Sequence, residues 1–272
     1  MKKIFIIFLA LLAAGCGLKK PPSDSQRIIS LSPAATEILF ALGSKNVAGV
    51  SNSCNYPPSA AKLPKMGGAW TPYVEEIATA KPGIVFVIKN SSAKTRLENL
   101  GIKVIEIPEV YDFTGLLENI DLIGSAVNLE TGNLKSKITR DMDSSATKLQ
   151  TRPRVFIVID NGLWTAGNES FINFLVNAAG GENIYGLTSS PYFQTSWEDV
   201  VEQNPDVIIF LTPAGEDLKN RPLSGKISAV KNGNIFILKQ EEIDIISRPG
   251  PRTPQAVSIL NKLFLRAEQA EK

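Results

Sequence analysis

The side chains that most often carry chemistry are scarce here: the 272 residues include no histidine and two cysteines, Cys16 and Cys54. Without an imidazole, Ser-His-Asp and Cys-His nucleophile systems, HExxH and His-x-Glu zinc sites and proximal-His haem ligation are all excluded. Nor can two thiols supply the thiolate set of an iron–sulfur cluster. A simple acid-triggered switch lacks a sensor, since no other ordinary side chain titrates between about pH 5 and 8. Asp160, Glu241, Glu242 and Asp244 are acids that could move protons, yet nothing pairs them with a nucleophile. Neither GxGxxG nor GxxxxGK[ST] occurs, so a nucleotide is not the expected ligand. No catalytic or metal-ligating residue is assigned. An α/β redox enzyme is the remote alternative, because fold alone does not decide function.

The amino terminus carries its own signal. Lys2 and Lys3 precede a wholly apolar run from Ile4 to Ala14, far short of the roughly 20 residues a spanning helix needs. Residues 1–15 therefore read as a secretory signal peptide. The run ends Leu12-Ala13-Ala14-Gly15-Cys16, which resembles a bacterial lipobox and implies lipidation at Cys16, with 16–26 as a polar lipidated tether. Cleavage there removes two lysines and no acid, leaving a chain of zero net charge. Such a body has no general attraction for nucleic acid, so none is expected as a partner. Cys54 is then left without a disulfide partner and reads as a small semi-buried side chain.

Positioning comes from a repeat. Glu75 and Pro82, followed by Gly-Ile-Val-Phe86, are echoed 123 positions later by Glu198 and Pro205, followed by Asp-Val-Ile-Ile209. Arg27 and Arg154 each precede an apolar strand candidate, and Gly101 and Gly233 each precede another. Two similar halves of alternating β-branched runs and amphipathic segments predict an α/β fold with two mainly parallel sheets, one in residues 27–127 and one in 152–272. Ser32 is the expected N-cap of a helix with Pro33 at its first position and Gly43 at its end. Between the halves, Leu134, Ile138, Met142 and Leu149 at helical spacing predict one long linking helix over 128–151, about 30 Å for some 20 residues. A strut of that kind leaves the lobes little relative motion.

Several strings together resemble one known family: RIISLSPAATEILFALG at 27–43, Cys54-Asn-Tyr-Pro-Pro58, Lys81-Pro-Gly-Ile-Val85, Thr165-Ala-Gly167, Ala179-Gly-Gly-Glu-Asn183 and Arg248-Pro-Gly-Pro-Arg252. They look like the helical-backbone, or class III, substrate-binding proteins of ABC importers, which carry cobalamin, ferric siderophores or haem, and among these like the periplasmic cobalamin-binding proteins. The resemblance implies two Rossmann-like lobes joined by a single long α-helix, with ligand in the cleft between them. It also implies an exported monomer, lipid-anchored to a bacterial membrane and facing the periplasm or the cell exterior. Its partners would be a permease with its ATPase, and the ligand cobalamin or another corrinoid; a ferric siderophore or haem is the alternative.

Carried over residue by residue, the resemblance places Tyr56, Trp70, Trp164, Tyr192, Asp244 and Arg248 at the ligand. Arg252 matches a family arginine to which no role is given. A flat macrocycle with polar edges needs stacking walls and a few donors, and each aromatic offers about 150–250 Å² of apolar area with a polar tip on Tyr and Trp. If the ligand were haem, Tyr would be the strong iron ligand left in the cleft. Glu75 and Glu198, one per lobe, match acids that dock onto permease arginines; each also stands where an acid favours a helix dipole.

Overall fold

The computed structural model describes residues 27–212, 218 and 220–270; the expected signal peptide, tether and Cys16 lie outside them. The first half opens with the buried strand β1 (Ile28–Ser30), then α1 (Pro33–Ala41). The Ser32 hydroxyl accepts from the Ala35 N–H, Pro33 occupies the first turn and Gly43 at φ +79° closes the end, as the sequence predicts. The chain continues through β2 (Val47–Val50), α2 (Pro58–Ala61), α3 (Val74–Thr79), β3 (Ile84–Ile88), α4 (Lys94–Asn99), β4 (Val104–Ile107) and α5 (Phe113–Ala126). The four strands form a parallel sheet in the order β2-β1-β3-β4.

After α6 (Gly132–Asp143) come β5 (Arg154–Val158), β6 (Trp164–Ala166), α7 (Phe171–Ala178), β7 (Glu182–Asn183), β8 (Tyr192–Gln194), α8 (Trp197–Gln203) and β9 (Val207–Phe210). Then follow α9 (Ser228–Lys231), β10 (Ile235–Ile237), α10 (Gln240–Ile246) and α11 (Thr253–Ala270). The second parallel sheet has the order β10-β9-β5-β7, so β5, β7, β9 and β10 take the places of β1, β2, β3 and β4. The sequence repeat is thus a repeat of topology. Gly101 and Gly233, at φ +75° and +72°, make the equivalent turns before β4 and β10. Ile84 to Val87 and Val207 to Phe210 are wholly buried, as parallel strands covered on both faces require.

The link between the halves differs from expectation. The helix spans 12 residues, Gly132–Asp143, where a continuous run over 128–151 was predicted. Asn128, at φ +58°, turns the chain before it. Beyond it the Ser144 and Ser145 hydroxyls donate to the carbonyls of Asp141 and Met142, the local side-chain bonding that competes with helix propagation. The irregular stretch that follows is fastened to α11. Asn261 bonds both the N–H and the carbonyl of Thr147, and a Glu268 carboxylate oxygen accepts from the N–H groups of Gln150 and Thr151. A continuous cluster of buried apolar side chains, including Ile38 and Leu116 of one half and Val155, Leu260 and Phe264 of the other, runs between the lobes.

Candidate functional site

In parallel sheets the loops beyond the carboxyl ends of the strands carry ligand sites. Here the two sheets turn those ends toward one another across a cleft of about 970 Å³. Ser32, Lys89 and Glu109 follow β1, β3 and β4 on one side; Asp160 and Leu211 follow β5 and β9 on the other. Ile88, Ile107, Val110, Phe171 and Ile172 contribute apolar lining.

Of the six expected ligand residues, Trp70, Trp164, Tyr192 and Arg248 line the cleft. Trp164 and Tyr192 are brought together by the antiparallel ribbon of β6 and β8. Ala166 pairs with Tyr192 and Trp164 with Gln194, which puts the two aromatics diagonally on one face. The turn into this ribbon is set by Asp160, whose Oδ1 accepts from the N–H groups of Gly162 (2.8 Å) and Trp164 (3.3 Å), while Leu163 adopts φ +58°. Trp70 sits in a loop, its carbonyl accepting from the Ser92 hydroxyl. Exposure separates the tryptophans: Trp197 is 7% exposed and belongs to the core, whereas Trp164 and Trp70 present 42% and 66% of their surface.

Tyr56 and Asp244 are not among the cleft-lining residues; they lie against Arg252 and Arg248. The Arg252 guanidinium lies 4.0 Å above the Tyr56 ring, and Asp244 accepts from Asn55 at 2.7 Å and pairs with Arg248 at 3.0 Å. The centre of this cluster is Glu37 on α1. Its side chain, 1% exposed, receives Arg252 Nε at 2.7 Å, Arg252 Nη2 at 2.5 Å and Arg248 Nη1 at 3.1 Å. Arg248 also donates to Asn55 Oδ1 and to the Ser53 carbonyl. Sequence reasoning passed over Glu37, although a lone charge within the otherwise uncharged helix PAATEILFA was a signal. It also passed over Lys89, Glu109 and Tyr111, which the strand-end rule could have found.

At the cleft wall Glu109 Oε2 accepts from the Tyr111 hydroxyl at 2.8 Å and from Lys89 Nζ at 3.4 Å. The hydrogen bond to Glu109 raises the Tyr111 phenol and the Lys89 ammonium above their ordinary values. Tyr192 faces the cleft with 43% of its surface exposed, yet the protein around its hydroxyl desolvates it and, with the Glu109 charge, pushes its pKa up to about 12.

Three of the four acids considered for chemistry have structural partners: Asp160 holds its turn, Glu242 accepts from the Lys239 N–H at the start of α10, and Asp244 belongs to the arginine cluster. Glu241 is exposed in the first turn of α10. Cys54 is a fully buried free thiol between the hydroxyls of Thr36 and Ser51, both 3.1 Å away. Among the described residues no group of three or more His, Cys, Asp or Glu side chains could hold a metal ion. Glu75 and Glu198 lie exposed in the first turns of α3 and α8, one per lobe, and Glu75 meets Arg96 at 2.7 Å.

The model of the periplasmic binding protein family matches residues 28–242. A vitamin B12-binding protein of Vibrio parahaemolyticus is 30% identical over 274 residues, covering 94% of this chain and 94% of that one. Among solved structures, the periplasmic vitamin B12-binding protein of Vibrio cholerae has a TM-score of 0.73 at 25% identity, covering 90% of this chain and 98% of that chain. A possible iron-binding periplasmic solute-binding protein from Staphylococcus epidermidis has a TM-score of 0.78 at 27% identity, over 88% and 98%. With its doubled α/β plan and interlobe cleft, the chain belongs to the periplasmic binding protein family, as a class III substrate-binding protein.

Proposed function

We propose that the protein captures cobalamin or a related corrinoid in the interlobe cleft and delivers it to the permease of an ABC importer. The observation that carries this reading is the cleft itself: about 970 Å³, walled by Trp70, Tyr111, Trp164 and Tyr192 over an apolar lining. That volume stands near the top of the roughly 300–1,000 Å³ range of small-molecule sites and suits a broad macrocycle held between aromatic faces. The B12-binding relatives support the same ligand.

Haem or a ferric siderophore is the second reading, favoured by the phenols at the cleft, which remain as iron ligands in a chain without histidine. Ferric iron takes phenolate, and both phenols are biased toward keeping their protons: Tyr111 donates to Glu109, and Tyr192 is pushed up to about 12. Corrinoid is the better fit.

Delivery in this reading begins with residues 1–15 directing export and Cys16 carrying lipid, so that a monomer is tethered to the membrane outside the cytoplasm. Glu75 and Glu198 then orient it on the permease. The Glu75 pair with Arg96 does not oppose this, because an exposed ion pair is worth only about 0.2–1 kcal/mol and exchanges readily. The test is incubation of signal-free protein with cyanocobalamin, haemin and a ferric siderophore, followed by gel filtration and absorbance of the protein peak. A coloured one-to-one complex with cyanocobalamin is expected; a complex with haemin or the siderophore alone would overturn the corrinoid reading.

A further inference from the structure

Each charged group at the cleft has a partner within the protein. Arg248 spends both terminal nitrogens on Glu37, Asn55, the Ser53 carbonyl and Asp244. Lys89 lies against Glu109, and Asp160 is occupied by the N–H groups of its own turn. Among the described residues lining the cleft, Lys89 and Arg248 are the cations; Arg248 is buried and fully engaged, and half-exposed Lys89 has the Glu109 carboxylate 3.4 Å away, so an anionic ligand edge reaching it competes with Glu109. Glu109 is also anchored by the Tyr111 hydroxyl, so its carboxylate stays at the wall. Its charge reaches the other lobe, where it contributes to the raised pKa of Tyr192.

We propose that Glu109 is a specificity-determining residue: by neutralising Lys89 at the cleft wall, it selects a macrocycle whose rim is uncharged amide and rejects one whose rim bears free carboxylates. This rests on the corrinoid reading and adds to it which chemistry of the rim is accepted. An amide offers both a donor and an acceptor and can join Lys89, Glu109 or Tyr111 without breaking their contacts. A carboxylate brought to the same place meets Glu109 as a like charge and must displace it from Lys89. Like-charge juxtaposition of this kind is how interfaces exclude wrong partners.

The test uses cyanocobalamin and its corrin-rim monocarboxylic acids, in which one side-chain amide is replaced by the acid with the ring and cobalt unchanged. Affinities are measured by calorimetry at neutral pH on the parent protein, Glu109→Gln, and Glu109→Gln with Lys89→Met. The parent should prefer the amide form to at least one monocarboxylate by about tenfold or more. Glu109→Gln frees the Lys89 ammonium, and the preference should fall to about threefold or less as the acid gains affinity. In the double variant that gain should vanish, which identifies Lys89 as the group set free. Both side chains are about half exposed, so the variants should melt with the parent. Equal binding of amide and acid by the parent, or an unchanged ratio in Glu109→Gln, would overturn the role of Glu109 while leaving the corrinoid reading intact. If the parent fails to bind cyanocobalamin at all, both fall together.

Discussion

Replacing Glu37 with Gln leaves Arg252 and Arg248 facing a neutral amide at the seam between the lobes. Because the Glu37 carboxylate is buried and accepts three charge-assisted hydrogen bonds, its removal is not rescued by water. Breaking one partner out of a buried ionic group costs about 3–5 kcal/mol. For chains of about this size each kcal/mol moves the melting temperature by roughly 2–4 °C. Calorimetric melting should therefore fall by about 6–20 °C. Ligand affinity should fall too, since Arg248 at the cleft loses one of its anchors. Removing the charges together is a different perturbation: Glu37→Met combined with Arg252→Leu should recover part of the loss, because apolar packing of similar volume often replaces a buried ionic group without penalty. If Glu37→Gln melted within about 2 °C of the parent, the triad would not be holding the lobes and the reasoning from its burial would be wrong.

Replacing Trp164 and Tyr192 together with Ala removes one aromatic face of the cleft, and corrinoid affinity by calorimetry should drop at least about tenfold; unchanged affinity would refute their placement at the ligand. The Glu75→Ala, Glu198→Ala variant should bind ligand as the parent does but fail to support uptake through the importer, measured with labelled ligand in cells; normal uptake would count against docking by these acids. Gly167→Ala should destabilise the protein by about 2 kcal/mol or more, because a Cβ there would lie 2.0 Å from the Ser190 carbonyl oxygen and 2.7 Å from that of Thr188. A parent-like denaturation midpoint would show that the loop beside β8 gives way freely.

Local rules carried most of the fold. The N-cap at Ser32, the closing glycine at Gly43 and the turns at Gly101 and Gly233 are one-residue decisions made by steric and hydrogen-bonding preference, and each was legible. The repeat of Glu, Pro and strand forecast two sheets of one topology. The linking helix was misjudged in length because apolar spacing continues through Leu149 after the serines at 144 and 145 have drawn the backbone out of the helix. There α11 takes over, through Asn261 and Glu268, a connection spanning more than a hundred residues that no local pattern contains.

The site divides along the same line. Trp164 and Tyr192, expected at the ligand from motifs, line the cleft, and what places them on one face is the pairing of two short strands. Tyr56 and Asp244, expected at the ligand, lie against Arg252 and Arg248, contacts across the fold that a linear match does not contain. Glu37 meets arginines 211 and 215 positions away. It does more than join them. Together with the shared apolar cluster it ties the lobes to one another, while the fastening of 147–151 to α11 holds the connecting stretch on the second lobe. Walls tied in this way have less conformational freedom to lose on binding, and a rigid flat molecule adds less ordering cost of its own than a flexible ligand of equal size, which favours a macrocycle.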